Sequence, residues 1–354
     1  MTATTGTRPP STLRGFEAAA RARLEPAHYD YFAGGAGDEV TLRANEAAFG
    51  RLTLLPRVLR GAGVPRTDVT LLGSRAAMPV LIAPTAFHRL ADPEGERATA
   101  RAAATTGTIM IVSMAATVGI EAVAAAAPGA ALWFQLYPQP DLAFTERVVR
   151  RAEAAGCEAL VVTVDSPARG VREREVEHGF HDLPDGLCCE NLRDGGRVRP
   201  LVMSPDISWR DIAWLRGITT LPIVLKGVLN PLDVPPALDH GVAALLVSNH
   251  GGRQLDTLPA TVDALPAIVA AAGDVPVLLD GGVRRGTDAV KAMALGARAV
   301  AVGRPVLWGL AADGERGAAR VLELLRAEVE LALALCGCAS ADDLGPALVG
   351  RAPC

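Results

Sequence analysis

Three observations predict an α/β fold, a (β/α)8 TIM barrel: eight short apolar runs, Ala-rich stretches of helix length between them, and polar residues gathered where the runs end. The runs are rich in β-branched residues or Leu and bounded by Gly, Pro or Asp, as buried parallel strands are. In order they are MPVLIAP (Met78 to Pro84), TIMIVS (Thr108 to Ser113), ALWFQLY (Ala131 to Tyr137), EALVVTVD (Glu158 to Asp165), LPIVLKG (Leu221 to Gly227), AALLVSNH (Ala243 to His250), VPVLLDGG (Val275 to Gly282) and RAVAVGRP (Arg298 to Pro305). Between them, GERATARAAATTG and TERVVRRAEAAG each end in Gly, which favours the closing turn of a helix. Parallel strands need crossover helices, and eight of them close on themselves. An open doubly wound sheet is the alternative arrangement of the same units.

Residues 1–66 read as an N-terminal helical segment, with a helix at TLRGFEAAARARL, packed on a barrel of residues 67–354 within a single domain. The Pro-rich start is expected to be loose. From Asp165 to Leu221 the chain runs more than fifty residues, through a Gly-, Pro- and charge-rich piece from His178 to Pro205 and then a helix at SWRDIAWLRG. A connection of that length predicts a lid insertion after the fourth strand. Pro235 and Pro236 in NPLDVPPALDHG place the start of the helix after the fifth strand, because Pro is tolerated in a first turn.

Composition excludes several function classes. The 354 residues are 50% hydrophobic and 21% charged, ample for a large core. A net charge of -4, from 35 basic and 39 acidic residues, lacks the clustered basic excess of a nucleic-acid binder. Apolar stretches such as Ala122 to Leu132 fall short of a bilayer span, so no membrane partner is expected. The start, MTATTGTRPPSTLRGF, has no apolar secretion core, which gives the expectation of a cytoplasmic protein. Six cysteines in so long a chain read as reduced packing residues. Cys188 with Cys189 and Cys336 with Cys338 lack partners at zinc spacing, so no metal is expected.

In a parallel barrel all strand ends meet on one face, where barrel active sites are built. That face would gather Thr85, Ser113, Gln135, Tyr137, Thr163, Asp165, Lys226, Ser248 to His250, Asp280, Gly303 and Arg304. Asp280, Gly281, Gly282, Arg284, Gly303 and Arg304, after strands seven and eight, form a candidate phosphate grip of backbone N–H groups and guanidinium forks. In LLVSNHGGRQLD the imidazole of His250 and the guanidinium of Arg253 would reach the same cavity, as a general base beside a carboxylate clamp. Asp165 would hold the imidazole from across the barrel. Only two lysines, Lys226 and Lys291, survive in a chain that otherwise uses Arg, and only three tyrosines occur, Tyr29, Tyr31 and Tyr137.

SNHGGRQLD resembles the active-site signature of the FMN-dependent α-hydroxy-acid oxidase and dehydrogenase family, the group of glycolate oxidase, lactate oxidase and mandelate dehydrogenase. YDYFAGGAGDEVTLRAN, IAPTA, PEGE, WFQLY, TVDSP, LPIVLKG, LDGGVRRGTD and VGRP extend the resemblance over nearly the whole chain in the family's order. The resemblance implies FMN as cofactor and oxidation of an (S)-2-hydroxy acid to the 2-oxo acid, with oxygen as acceptor or, as the alternative, a dehydrogenase's other acceptor. By motif, His250 becomes the base paired with Asp165, and Arg172 with Arg253 the carboxylate clamp. Tyr31 and Tyr137 become hydrogen-bond partners of the substrate, and Lys226 the charge beside flavin N1 and O2. Pro84, Thr85, Ala86, Ser113, Gln135, Thr163 and Ser248 are implied to line the isoalloxazine, and the strand-seven and strand-eight residues to hold its phosphate. A homotetramer or octamer is also implied.

The sequence departs from the pattern at two pocket positions. Ala115 stands where relatives with small substrates can carry a large aromatic, which leaves room for a larger substrate. Arg169 stands where glycolate oxidase has an apolar pocket residue; it predicts a second acidic or polar group on the substrate, or else points to solvent. A flavin-dependent isomerase of diphosphates and a non-catalytic flavin-binding protein are the readings from other classes.

Overall fold

The computed structural model describes residues 10–352, so the expected loose start lies almost wholly outside the described residues. Eight parallel strands close into a barrel: β1 (Val80–Ile82), β2 (Met110–Ser113), β3 (Leu132–Leu136), β4 (Ala159–Thr163), β5 (Ile223–Val228), β6 (Ala244–Val247), β7 (Val277–Asp280) and β8 (Ala299–Val302). Each lies within one of the eight apolar runs, except that β5 runs one residue past its own. Pairing of Val300 with Val80 closes the ring and removes the doubly wound alternative. Nearly every strand residue is buried, because one face meets the barrel interior and the other the helix layer.

Helices α1 (Leu13–Arg23), α2 (Pro26–Ala33) and α3 (Val40–Gly50) precede the barrel. The sequence reading found only the first, which the Thr12 hydroxyl caps by accepting from Gly15 N–H. Next comes a hairpin of Val69–Leu71 with Ser74–Ala76, which covers the barrel's N-terminal end. The strand Leu52–Leu54 pairs with Val349–Arg351, so the N-terminal segment is joined to the far end of the chain as well as to the barrel.

The crossovers are α4 (Glu96–Thr106), α5 (Ile120–Ala126), α6 (Leu142–Ala154), α7 (Glu173–Glu177) and α8 (Trp209–Ile218) after β4, α9 (Val234–Asp239), α10 (Thr261–Ala272), α11 (Gly286–Ala294) and α12 (Arg304–Cys336). Gly107, at φ 68°, ends α4, as the sequence predicted. Pro235 sits in the first turn of α9, which follows a short 3-10 turn at Pro231–Asp233. The last helix is bent at Asp313 and Gly314, whose backbone angles are not helical.

The insertion after β4 contains α7, a small hairpin of Arg193–Asp194 with Arg197–Val198, and α8. Arg174 of α7 pairs with Asp30 (3.3 Å) and Glu39 (2.6 Å), and His178 lies 2.7 Å from Asp30. The lid's root and the N-terminal segment therefore form one layer across the open ends of the strands. Cys157, Cys336 and Cys338 are buried as packing thiols, whereas Cys188 and Cys189 are only partly buried and line the cavity under the lid. Among the described residues no helix is long and apolar enough to cross a membrane.

Candidate active site

A cavity of about 530 Å³ opens at the C-terminal ends of the strands. Tyr31, Pro84, Thr85, Ala86, Ser113, Ala115, Tyr137, Arg169, Arg172, Lys226, His250, Arg253, Asp280, Gly281, Gly282, Arg284, Gly303 and Arg304 all reach its wall. Asp165, Gln135, Thr163 and Ser248 stand one layer behind. The amide of Gln135 accepts from Ser113 Oγ (3.1 Å) and donates to Thr163 Oγ1 (3.1 Å), a chain across the ends of β2, β3 and β4. Ser248 Oγ accepts from His250 N–H at 3.1 Å.

His250 follows β6 with φ 58°, a left-handed conformation uncommon for a residue with a side chain, and Gly251 and Gly252 continue it at 64° and 74°. A Cβ at Gly252 would come within 2.7 Å of Leu42 N, so only glycine lets this turn press against α3. The turn aims the imidazole across the barrel mouth, where Nδ1 lies 2.8 Å from Asp165 Oδ1. An ionised carboxylate can only accept, so Nδ1 carries the proton and Nε2 is bare. Nε2 lies 3.3 Å from Tyr137 Oη, whose hydroxyl can donate to it.

Electrostatics favour that protonation state. Burial pushes the imidazole below its ordinary range, against the pull of Asp165 in the other direction, with Lys226 adding to the depression. Burial pushes the Asp165 carboxyl up, but His250 and Lys226 outweigh it and hold the carboxyl at about 2. A neutral imidazole braced by a carboxylate can take a proton and be stabilised as the cation. Burial, with the carboxylate of Asp165, pushes the Tyr137 phenol far up, so it stays a donor.

Lys226 comes from β5, where the register with β6 shifts between Lys226 and Val228. Gly227 at that bulge has φ 108°, and a Cβ there would lie 2.6 Å from that of Asp165; the bulge admits the carboxylate. Lys226 is 3% exposed, and the carboxylate paired with its ammonium, Asp280 Oδ2, is 3.7 Å away. Asp280 Oδ1 is buried without a hydrogen-bond partner. An unfilled acceptor and an under-contacted cation in one wall fit a ligand that offers hydroxyl donors and acceptor atoms together, as the ribityl chain and ring edge of FMN do.

Arg304 reaches the same wall as the other residues of the candidate phosphate grip and is itself anchored to backbone. Its Nε, Nη1 and Nη2 donate to the carbonyls of Phe32 (2.9 Å), Gly251 (3.0 Å) and Gly34 (2.9 Å), so it fastens α2 and the His250 turn together. Burial, with Arg253 and Arg284 close by, pushes its guanidinium down to about 9. It remains a cation at neutral pH among other cations, a field that suits a bound anion. Arg284 pairs with the half-exposed Glu46 at 2.8 Å.

On the facing wall Arg172 and Arg253 lie beneath the lid. Tyr31 of α2 stacks on Phe87, with ring centroids 5.1 Å apart, and Arg253 lies over its ring at 5.0 Å. Arg253 Nη1 also donates to the carbonyls of Tyr31 and Gly34. Burial first, then Arg172, lowers the Arg253 guanidinium from its ordinary value, the mark of cations held close together. Arg172 Nε is buried with no partner, a donor waiting for an acceptor.

Two polar residues escaped the sequence reading. Glu175 of α7 accepts from Arg169, Arg172 and Arg253. This removes the premise for a second acidic group on the substrate, because Arg169 is half exposed and already matched. His88 lies 2.6 Å from Thr85 Oγ1 and 2.9 Å from Thr99 Oγ1, fixing the loop after β1. Neither sits at a strand end.

A closed parallel barrel whose strand-end cavity gathers a carboxylate-braced imidazole, two neighbouring guanidinium groups and a flavin-fitting wall has the architecture of the FMN enzymes. The model of the FMN-dependent dehydrogenase family matches residues 20–351, and the chain belongs to that family, with FMN as its cofactor. It is 45% identical to 2-hydroxyacid oxidase 1 of Homo sapiens over 358 residues, covering 96% of each chain. It is 46% identical to the peroxisomal (S)-2-hydroxy-acid oxidase GLO4 of Oryza sativa subsp. japonica over 352 residues, 95% of this chain and 94% of the relative. A solved mandelate oxidase with (S)-2-phenylpropionate superposes with a TM-score of 0.90 at 42% identity, covering 97% of this chain and 98% of that one.

The expectation of a cytoplasmic location is overturned by the rice relative, which is named peroxisomal. Peroxisomal addresses are short, receptor-read sequences that need no apolar core, so the polar character of the first residues carries no information about that compartment.

Proposed function

We propose that the protein oxidises an (S)-2-hydroxy acid to the 2-oxo acid with oxygen as the electron acceptor. The observation that carries this reading is the bare Nε2 of His250, braced through Nδ1 by Asp165 and facing a cavity whose other wall is Arg172 and Arg253. FMN, when bound, supplies the acceptor of the two electrons that leave the substrate. The arginines hold the substrate carboxylate, with Arg172 Nε as an unfilled donor. That places the hydroxyl and the α-carbon toward His250. The imidazole takes the proton released on oxidation, and Asp165 stabilises the resulting imidazolium. Tyr137 and Tyr31 donate to the bound acid and orient it.

Lys226, with Pro84, Thr85, Ala86 and Ser113, would face the flavin ring, backed by Gln135, Thr163 and Ser248. Asp280, Gly281, Gly282, Arg284 and Gly303 would receive the ribityl phosphate, and Arg304 would support them by its charge. Ala115, buried on the cavity wall, leaves room for a substrate side chain larger than the methyl of lactate. A homotetramer or octamer belongs to the same proposal and is read by the mass of the purified particle.

The test is anaerobic mixing of the yellow holoenzyme with a panel of 2-hydroxy acids, then admission of air. Bleaching of the flavin band by an acid with a bulky side chain, and rapid recolouring in air, is the expected result. Bleaching without recolouring in air would assign a different acceptor. A flavin band unmoved by every acid would overturn the reading.

A further inference from the structure

We propose that Glu175 sets the charge the substrate site accepts, restricting it to a single carboxylate; this rests on the reading of Arg172 and Arg253 as the substrate clamp. One oxygen, Oε1, accepts from Arg172 Nη1 (2.8 Å) and Arg253 Nη2 (3.1 Å), while Oε2 accepts from Arg169 Nη2 (2.9 Å). The Glu175 side chain is 6% exposed, those of Arg172 and Arg253 are 11% and 16%, and that of Arg169 is 51%. Charges buried together must balance, because an unmatched one forfeits its hydration. Arg169 is screened by water and counts little. With Arg304 and Arg284 assigned to the FMN phosphate, the two buried guanidinium groups of the clamp and the one buried carboxylate leave a single positive charge for the substrate, matched by one carboxylate.

Two features make Glu175 a permanent member of the site rather than a stand-in that the substrate expels. First, α7 is fixed to the N-terminal layer through Arg174 and His178, and Glu175 closes its own turn by donating from its N–H to the Arg172 carbonyl (3.1 Å) and accepting at its carbonyl from Phe180 N–H (2.8 Å). Second, Arg172 Nε stays buried and unpaired with Glu175 in place, so the clamp keeps a donor for an incoming carboxylate. Glu175 is thus a positioning residue: it holds two mutually repelling guanidinium groups side by side and determines specificity by cancelling one of their charges.

The experiment measures binding of unreactive anions to the holoenzyme by their perturbation of the flavin absorption band, comparing butyrate with succinate. In the parent, the second carboxylate of succinate brings no gain. In Glu175→Gln, which keeps the shape and removes the charge, the preference for succinate over butyrate rises about tenfold or more, a change on the scale of one matched charge. Glu175→Asp retains the charge and leaves the ratio within about twofold of the parent's. The proposal is overturned by an unchanged ratio in Glu175→Gln, or by equal tightening of both anions, the signature of a carboxylate that merely occupied the substrate's place. It is overturned equally by a moved ratio in Glu175→Asp. The parent alone also decides: succinate binding about tenfold tighter than butyrate refutes a site with one charge to match. Failure of the parent to bleach with any 2-hydroxy acid would instead sink the clamp reading itself.

Discussion

The two ends of the barrel are built from the same eight strands and could hardly differ more. At the N-terminal end the hairpin of Val69, Leu71 and Ala76 lies on an apolar floor that includes Leu81, Ile111, Val161, Val224, Leu246 and Leu278. Within that floor the indole N–H of Trp133 donates to Ser74 Oγ at 2.8 Å. At the C-terminal end, a few residues along the same strands, stand Asp165, Lys226, His250, Asp280 and a cluster of arginines, several with donors or acceptors unfilled. The floor supplies stability that the mouth consumes: buried charges with incomplete partners are costly, and they persist because the surrounding barrel fixes them.

Substitutions at the two ends should therefore fail in different ways. The largest effect is expected at the mouth, where His250→Ala removes the base and lowers kcat by about 10⁴-fold, the upper end for general-base catalysis. Flavin content and melting temperature should stay near the parent's; a variant that keeps more than a tenth of the activity would break the contrast. On the floor, Trp133→Ala should cost about 3–5 kcal/mol of stability. The protein that remains folded should turn over at nearly the parental kcat, seen by combining denaturant unfolding with active-site titration.

A subtler effect concerns pH. The base must be neutral, and burial holds His250 below its ordinary value near 6.5, so activity should rise with pH through a limb below that value and stay flat above it. Because Asp165 pulls the imidazole upward, Asp165→Asn should move the limb to lower pH while slowing turnover by about 10²-fold. A limb moving to higher pH would contradict the assigned sign. Smallest of all, Ser74→Ala should cost about 1 kcal/mol by stranding the Trp133 N–H, with no change in any kinetic constant.

What the sequence disclosed follows the same division. All eight strands were legible because a parallel strand covered on both faces is a continuous apolar run, and the polar residues that end such runs point to the mouth without further information. Helices α2 and α3 were not, since YDYFAGG and its surroundings show little apolar periodicity, and they are held from more than 200 residues away, α2 by Arg253 and Arg304 and α3 by Asp256. The floor hairpin was missed because its strands are three residues each. Glu175 was invisible for a related reason: EREVE reads as a solvated helix, and its burial depends on Arg253, 78 residues further on.

Arg304 carries a consequence for how the protein is made. Its guanidinium ties the carbonyls of Phe32 and Gly34, near the beginning, to the His250 turn, and it enters the chain only after the eighth strand. A ribosome delivering about 5–20 residues each second would have the Tyr31 segment waiting many seconds before its fastening emerges. The first part of the site to be synthesised is thus among the last to be fully secured, and a nascent chain halted before residue 304 would hold α2 through Arg253 without its second fastening while most of the barrel already existed.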